Sequence, residues 1–186
     1  VPLLPVLFNL LIVDGISSEQ PCKEISVVVS NVNNESAYAI DVFSRIVRRR
    51  SDSTVCRHNT DCRYNNTERC KINVGIESEL GPESFRVLNN SILGGDDRGL
   101  LYGLGSYLLR CNFHRSEYIT PPLGDLNISV VTPSRSNAMR AVYFATHFNN
   151  WYQVAPMDDV LEYMEELAIL WRTSSHSLQA TEDHKQ

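Results

Sequence analysis

Residues 139–171 constrain the fold more than any other part of this chain. Ala141-Val142-Tyr143-Phe144-Ala145 is an apolar run with the length of a strand, and Thr146 through Tyr152 form a polar, aromatic loop. Pro156 and the Asp158-Asp159 pair suit the first turn of a helix, along which Leu161, Met164, Ala168 and Trp171 recur on one face. That order is one βα unit. From 172 to 186 the apolar side chains are Leu178 and Ala180, so this tail cannot supply another buried strand and is expected to be disordered. A chain with a single such unit near its end must build its main core upstream.

The upstream pattern supplies that core. Strands are expected at 24–30, 71–76, 84–88, 91–93 and 127–131, with turns at Gly81-Pro82, Asn89-Asn90 and Gly94-Gly95. A helix over 36–48 places Ala39, Ile40, Phe43, Ile46 and Val47 on one side. A second helix starts at Asp96-Asp97 and turns Leu100, Leu101, Leu104, Tyr107, Leu108 and Cys111 toward a sheet. Gly99 and Gly103 each cost about 1 kcal/mol relative to alanine inside a helix, which close contact between helix backbone and sheet would offset. Residues 118–122 are expected to be a connection, and the Pro-containing stretch 132–136 a domain boundary. The expected first domain, 22–132, is α+β: a small sheet with helices on one face.

Composition narrows the setting. The formal net charge of -5 gives no general attraction to nucleic acid. Arg48-Arg49-Arg50 ends a helical pattern, where cations meet the helix dipole, with an anion site as the alternative. Residues 1–18 hold an uncharged apolar run followed by Ser17-Ser18 and resemble the apolar part of a secretory signal; the alternative is a buried segment. The run is too short for a stable membrane span. Sequons at Asn34, Asn65, Asn89 and Asn127 are glycosylation candidates in a secreted protein.

The five cysteines are Cys22, Cys56, Cys62, Cys70 and Cys111. Cys56, Cys62 and Cys70 crowd a polar loop, 51–71, that has little apolar content to order it, and disulfides are expected among them with one thiol of the five left over. Zinc is the alternative because His58 lies near Cys56, but the cysteine spacing fits no zinc-finger pattern. No metal and no cofactor is expected.

Two stretches resemble a known arrangement. Phe85-Arg86-Val87-Leu88, Ile92-Leu93-Gly94-Gly95 and Asp97 through Leu104, with a Gly-x-x-Tyr-Gly core, are similar to the small α+β domain that precedes the catalytic barrel in family 20 β-hexosaminidases and family 67 α-glucuronidases. Met139-Arg140-Ala141 through His147-Phe148, with the following helix, resembles the start of their (β/α)8 barrels. The resemblance implies a β-hexosaminidase domain-2-like fold followed by the first βα unit of a truncated barrel, over 139–171. It also implies a carbohydrate partner, with Arg140 opening the first barrel strand as a sugar contact. At that strand's C-terminal end, where barrels keep their active sites, His147, Asn149, Asn150, Trp151 and Tyr152 become candidate substrate-binding residues. His147 has a hydrogen-bonded structural role as its alternative, and Trp151 and Tyr152 either stack on a sugar or cover the barrel mouth.

Glycoside hydrolysis commonly needs two carboxyl groups flanking the bond. In the resembling families these come from later barrel strands. Asp96-Asp97 and Asp158-Asp159 lie in first helical turns and Glu165-Glu166 inside a helix, so they are expected to be dipole partners or solvated, and no catalytic residue is assigned. The expected function is that of a fragment of a secreted glycoside hydrolase, inactive alone. The alternative is a secreted, non-catalytic carbohydrate-binding or protein-interaction module, and the sequence fixes no oligomeric state.

Overall fold

In the computed structural model the described residues are 21–30, 34–57, 62–64, 67–114, 117–122, 126–131 and 150–170. The expected signal segment, the barrel strand at 141–145 and the tail at 172–186 lie outside them. The elements in order are β1 (Glu24–Ser30), α1 (Asn34–Arg50), β2 (Thr54–Cys56), β3 (Arg69–Ile76), a 3-10 turn (Ser78–Leu80), β4 (Phe85–Leu88), β5 (Ser91–Gly94), α2 (Asp97–Leu108), β6 (Asn112–His114), β7 (Tyr118–Thr120), β8 (Asn127–Val130), α3 (Trp151–Val154) and α4 (Met157–Leu170). The fold is α+β around a mixed sheet.

That sheet has six strands in the order β2-β1-β3-β5-β4-β8. β1 runs parallel to both β2 and β3, β3 runs parallel to β5, and β4 is antiparallel to β5 and β8. Alternation explains which side is covered. Ile72 and Val74 of β3, Phe85 and Val87 of β4 and Ile92 of β5 are buried with Ile40, Phe43 and Ile46 of α1 and Leu100, Leu104 and Leu108 of α2 in one core, while Lys71 and Asn73 between them are exposed. α1 and α2 lie side by side on the buried face.

Local chemistry fixes the ends of α2. Asp96 accepts hydrogen bonds from the amides of Gly99 at 2.7 Å and Glu83 at 3.0 Å, so one carboxylate caps the helix and pins the turn before β4. Gly103 lies where a Cβ would stand 2.9 Å from Ile92 Cγ2, so the helix can approach β4 and β5 closely because that side chain is absent.

Three expectations need correction. Residues 118–122 are more than a connection: β7 pairs with β6 as a hairpin, and buried Ile119 exchanges backbone hydrogen bonds with Cys22. A three-residue strand followed by two prolines carries too little periodicity to be recognised. The cysteine loop contains β2, a short edge strand whose partners lie far upstream. The aromatic loop ends earlier than expected, because Trp151–Val154 form a single helical turn in which the Asn150 amide donates to Gln153 Oε1 at 3.2 Å.

The largest correction concerns α4. Of the two outcomes open to the apolar row Leu161, Met164 and Ala168, docking on the first domain or exposure, it shows exposure, whereas Ile169 is fully buried against α2. Trp171, the last of that row, lies outside the described residues. The face that docks is acidic. Arg45 of α1 holds Glu165 with two hydrogen bonds, at 2.6 and 3.2 Å, Arg49 reaches Glu162 at 3.3 Å and Glu165 at 3.2 Å, and Arg50 reaches Glu166 at 3.1 Å. Glu165-Glu166 are thus neither solvated nor dipole partners, and Arg49 and Arg50 do more than end a helix. Burial disfavours the charged carboxylate of Glu165, but the Arg45 hydrogen bond and the charges of Arg45 and Arg49 outweigh it and hold the group below the usual carboxylate range.

Candidate functional site

Of the residues singled out as sugar contacts, Arg140, His147 and Asn149 lie outside the described residues. Asn150, Trp151 and Tyr152 form one small cluster at the entry to α4. Asn150 Nδ2 donates to the Tyr152 hydroxyl at 3.0 Å, and the Trp151 indole meets Tyr163 of α4 edge-on, with ring centroids 5.8 Å apart. Trp151 nevertheless keeps half its surface exposed. Below it Val154, Met157, Leu161 and Met164 extend the exposed apolar surface along α4.

The cysteines build a second place of interest. Cys56 bonds to Cys62, Cys22 bonds to Cys70, and Cys111 is left as a buried thiol. Burial pushes the Cys111 thiol up to about 12, against a smaller opposing effect of a hydrogen bond with the Tyr107 side chain, so it is poorly suited to act as a nucleophile. Glu24 and the sulfurs of Cys56 and Cys62 lie within 4.8 Å of one another, a spacing that would suit a metal. The two sulfurs are bonded to each other, however, and offer no thiolate.

Glu24 has another task. It is almost fully buried, and its carboxylate accepts from the amides of Arg63 at 3.0 Å and Tyr64 at 3.1 Å and from the Thr54 hydroxyl at 3.3 Å. A carboxylate on β1 therefore holds the stretch after Cys62, while the disulfide holds the same stretch to β2. Between this stretch, β2 and α1 opens a cleft of about 650 Å³, lined by Ser44 and Arg48 of α1, Thr54 of β2, and Arg57 and Arg63 of the loop. Arg57 is engaged by Asp41, with which it forms a close ion pair. Among the described residues, Arg48 and Arg63 have no acidic partner within ion-pair distance. Sequence reasoning missed this cleft because its residues come from three segments brought together by strand pairing, a disulfide, the Glu24 hydrogen bonds and the Asp41–Arg57 pair, all of them non-local. The available signals were Arg63 standing next to Cys62 and the anion-site alternative for Arg48-Arg49-Arg50.

The sequons are distributed over different environments. Asn127 is exposed on β8, Asn89 is exposed in the β4–β5 turn where its Oδ1 accepts from the Leu126 amide at 3.1 Å, and Asn34 starts α1. Asn65 lies outside the described residues. No described helix is long and apolar enough to cross a membrane. No family model and no curated protein matches the sequence.

Proposed function

We propose that this chain is the non-catalytic accessory α+β domain of a secreted glycoside hydrolase, joined to the first βα unit of that enzyme's barrel. The observation that carries the reading is the division of α4 into two faces. One face is fixed to the accessory domain by Ile169 and the arginine–glutamate pairs, and the other presents Met157, Leu161 and Met164 outward, about half exposed or more. A helix between an accessory domain and a barrel needs both. Apolar area left in water costs about 25 cal/mol per Å², so the outward row favours further apolar structure packing on it.

The chemistry agrees with a non-catalytic role. Asp96 caps α2, Asp41 pairs with Arg57, Glu24 is engaged by two amides and a hydroxyl, and Glu165 is held by two arginines. None of these stands ready on both sides of a bound sugar, as hydrolysis requires. The two disulfides support a secretory location. Carbohydrate would be met by Trp151 and Tyr152, whose rings are wide enough to cover a pyranose.

The test is hydrolysis of aryl glycosides of N-acetylglucosamine and of glucuronic acid. This polypeptide alone should not exceed the uncatalysed rate, and a longer product carrying further strands after α4 should. Turnover by the short chain that is abolished by changing Asp96, Asp97, Asp158 or Asp159 would overturn the proposal. Sugar binding that is lost in Trp151→Ala, with no turnover from any longer product, would instead favour a stand-alone binding module, a reading to which the exposure of Trp151 lends support.

A further inference from the structure

We propose that the cleft between α1, β2 and the disulfide-bound loop is an oxyanion site, in which Arg48 and Arg63 receive a sulfate or phosphate group. Two guanidinium groups from separate elements line one cavity, and neither meets a carboxylate among the described residues. Guanidinium is the side chain best matched to a tetrahedral oxyanion, because its fork of donors bonds two oxygens at once and its charge persists at any physiological pH. The Ser44 hydroxyl lines the same space, whereas that of Thr54 is already given to Glu24.

The competing charges are accounted for. Asp41 is neutralised by Arg57, and Glu24 is covered by the amides of Arg63 and Tyr64 and by the Thr54 hydroxyl, so the cleft's two carboxylates do not satisfy Arg48 or Arg63. The C-terminal end of α1 carries a partial negative charge that opposes an anion. With Arg57 and Asp41 cancelling, Arg48 and Arg63 against the Glu24 carboxylate leave the lining one formal positive charge, which exceeds that partial charge. A solvated arginine does not by itself mark a site, but Arg63 is held in place from both sides: its amide donates to buried Glu24, and its neighbour Cys62 is bonded to Cys56. The neighbouring arginines of α1 underline the difference, since Arg45, Arg49 and Arg50 all turn to the glutamates of α4 and Arg48 turns to the cleft. The volume, about 650 Å³, accommodates a sugar-sized molecule bearing the anion.

The experiment is a titration of the folded chain, followed by amide chemical shifts, with sodium sulfate, sodium phosphate, glucose 6-sulfate and glucose 6-phosphate at constant ionic strength. Saturable shifts in residues 44–57 and 62–64 are expected, with affinity falling at least tenfold in Arg48→Gln and in Arg63→Gln. Both side chains are exposed, so both variants should fold, which circular dichroism verifies. Sugar esters that bind more tightly than the free ions identify an ester ligand, and equal affinities identify the free ion; either supports the site. The proposal fails if no probe gives saturable shifts, if Arg48→Gln and Arg63→Gln bind as the parent does, or if Arg98→Gln, at a highly exposed position on α2 outside the cleft lining, weakens binding equally.

Discussion

Gly105 of α2 faces the backbone of Ile169 in α4 so closely that a Cβ on Gly105 would stand 1.9 Å from the Ile169 carbonyl oxygen. The neighbour is backbone and cannot rotate aside. Two helices far apart in the chain therefore meet through an absent side chain, and arginine–glutamate pairs between α1 and α4 hold α4 from its other neighbour.

Gly105→Ala should displace α4. A methyl group gains helix propensity of about 1 kcal/mol, but forcing helices apart in a packed seam costs about 1 to 3 kcal/mol, and the clash affects only the docked state. Faster amide exchange across α4, with α1 and β3 still protected, is the expected result. Unchanged exchange in α4 would mean that the seam is not formed in solution.

Leu104→Ala should be more damaging to the domain as a whole. Leu104 is fully enclosed in the cluster formed by the sheet, α1 and α2. Such truncations cost about 2 to 5 kcal/mol, a large part of a small domain's stability. Urea unfolding measures it, and a loss below about 0.5 kcal/mol would place Leu104 at the surface.

The contrast between α2 and α4 explains what the sequence made legible. Leu100, Leu104 and Leu108 are the chief apolar row of α2, so its phase followed directly, as did the strands at β3, β4 and β5 and the Asn89-Asn90 turn between the last two. α4 carries two rows at helical spacing, one apolar and one acidic, and periodicity alone selected the apolar one. The deciding features lie elsewhere: Arg45 and Arg49 on α1, which offer a counter-charge, and Gly105, which offers the space. Arg48 reads with its neighbours as a helix end, with an anion site as the alternative, because the chain around Arg63 reaches it through non-local links: β1–β2 pairing, the Cys56–Cys62 bond and the Glu24 hydrogen bonds. Likewise, Cys22 gave no local sign of its partner, since Cys70 comes beside it only when β1 and β3 lie parallel.

The two disulfides should differ in worth. Cys22 and Cys70 are 48 residues apart and Cys56 and Cys62 only 6, so the entropy removed from the unfolded chain corresponds to about 4 and about 2 kcal/mol respectively. Replacing each pair with alanine and measuring urea unfolding should give the larger loss for Cys22–Cys70. Alkylation of the unreduced protein should label Cys111 alone, and only after denaturation, because burial pushes its thiol up to about 12. Labelling of Cys56, Cys62 or Cys70 without a reductant would contradict the pairing.

Acid should release α4 before it unfolds the sheet. The folded-state value of Glu165 lies below its ordinary 4.5, with burial opposed and outweighed by Arg45 and Arg49. A group lowered on folding contributes stability that is fully present above its unfolded value and is lost as pH falls through the folded one. The docking of α4 should therefore be constant at neutral pH and weaken only below about 4.5, as Glu165 takes up a proton and its bond to Arg45 becomes weaker. Carboxyl carbon shifts followed through an acid titration should give Glu165 a lower midpoint than the same residue has in Arg45→Gln. In that variant α4 should also exchange its amides faster at pH 7, because burial of Glu165 then has less to offset it. A midpoint for Glu165 that does not move when Arg45 is replaced would show that the pair does not hold the two helices together.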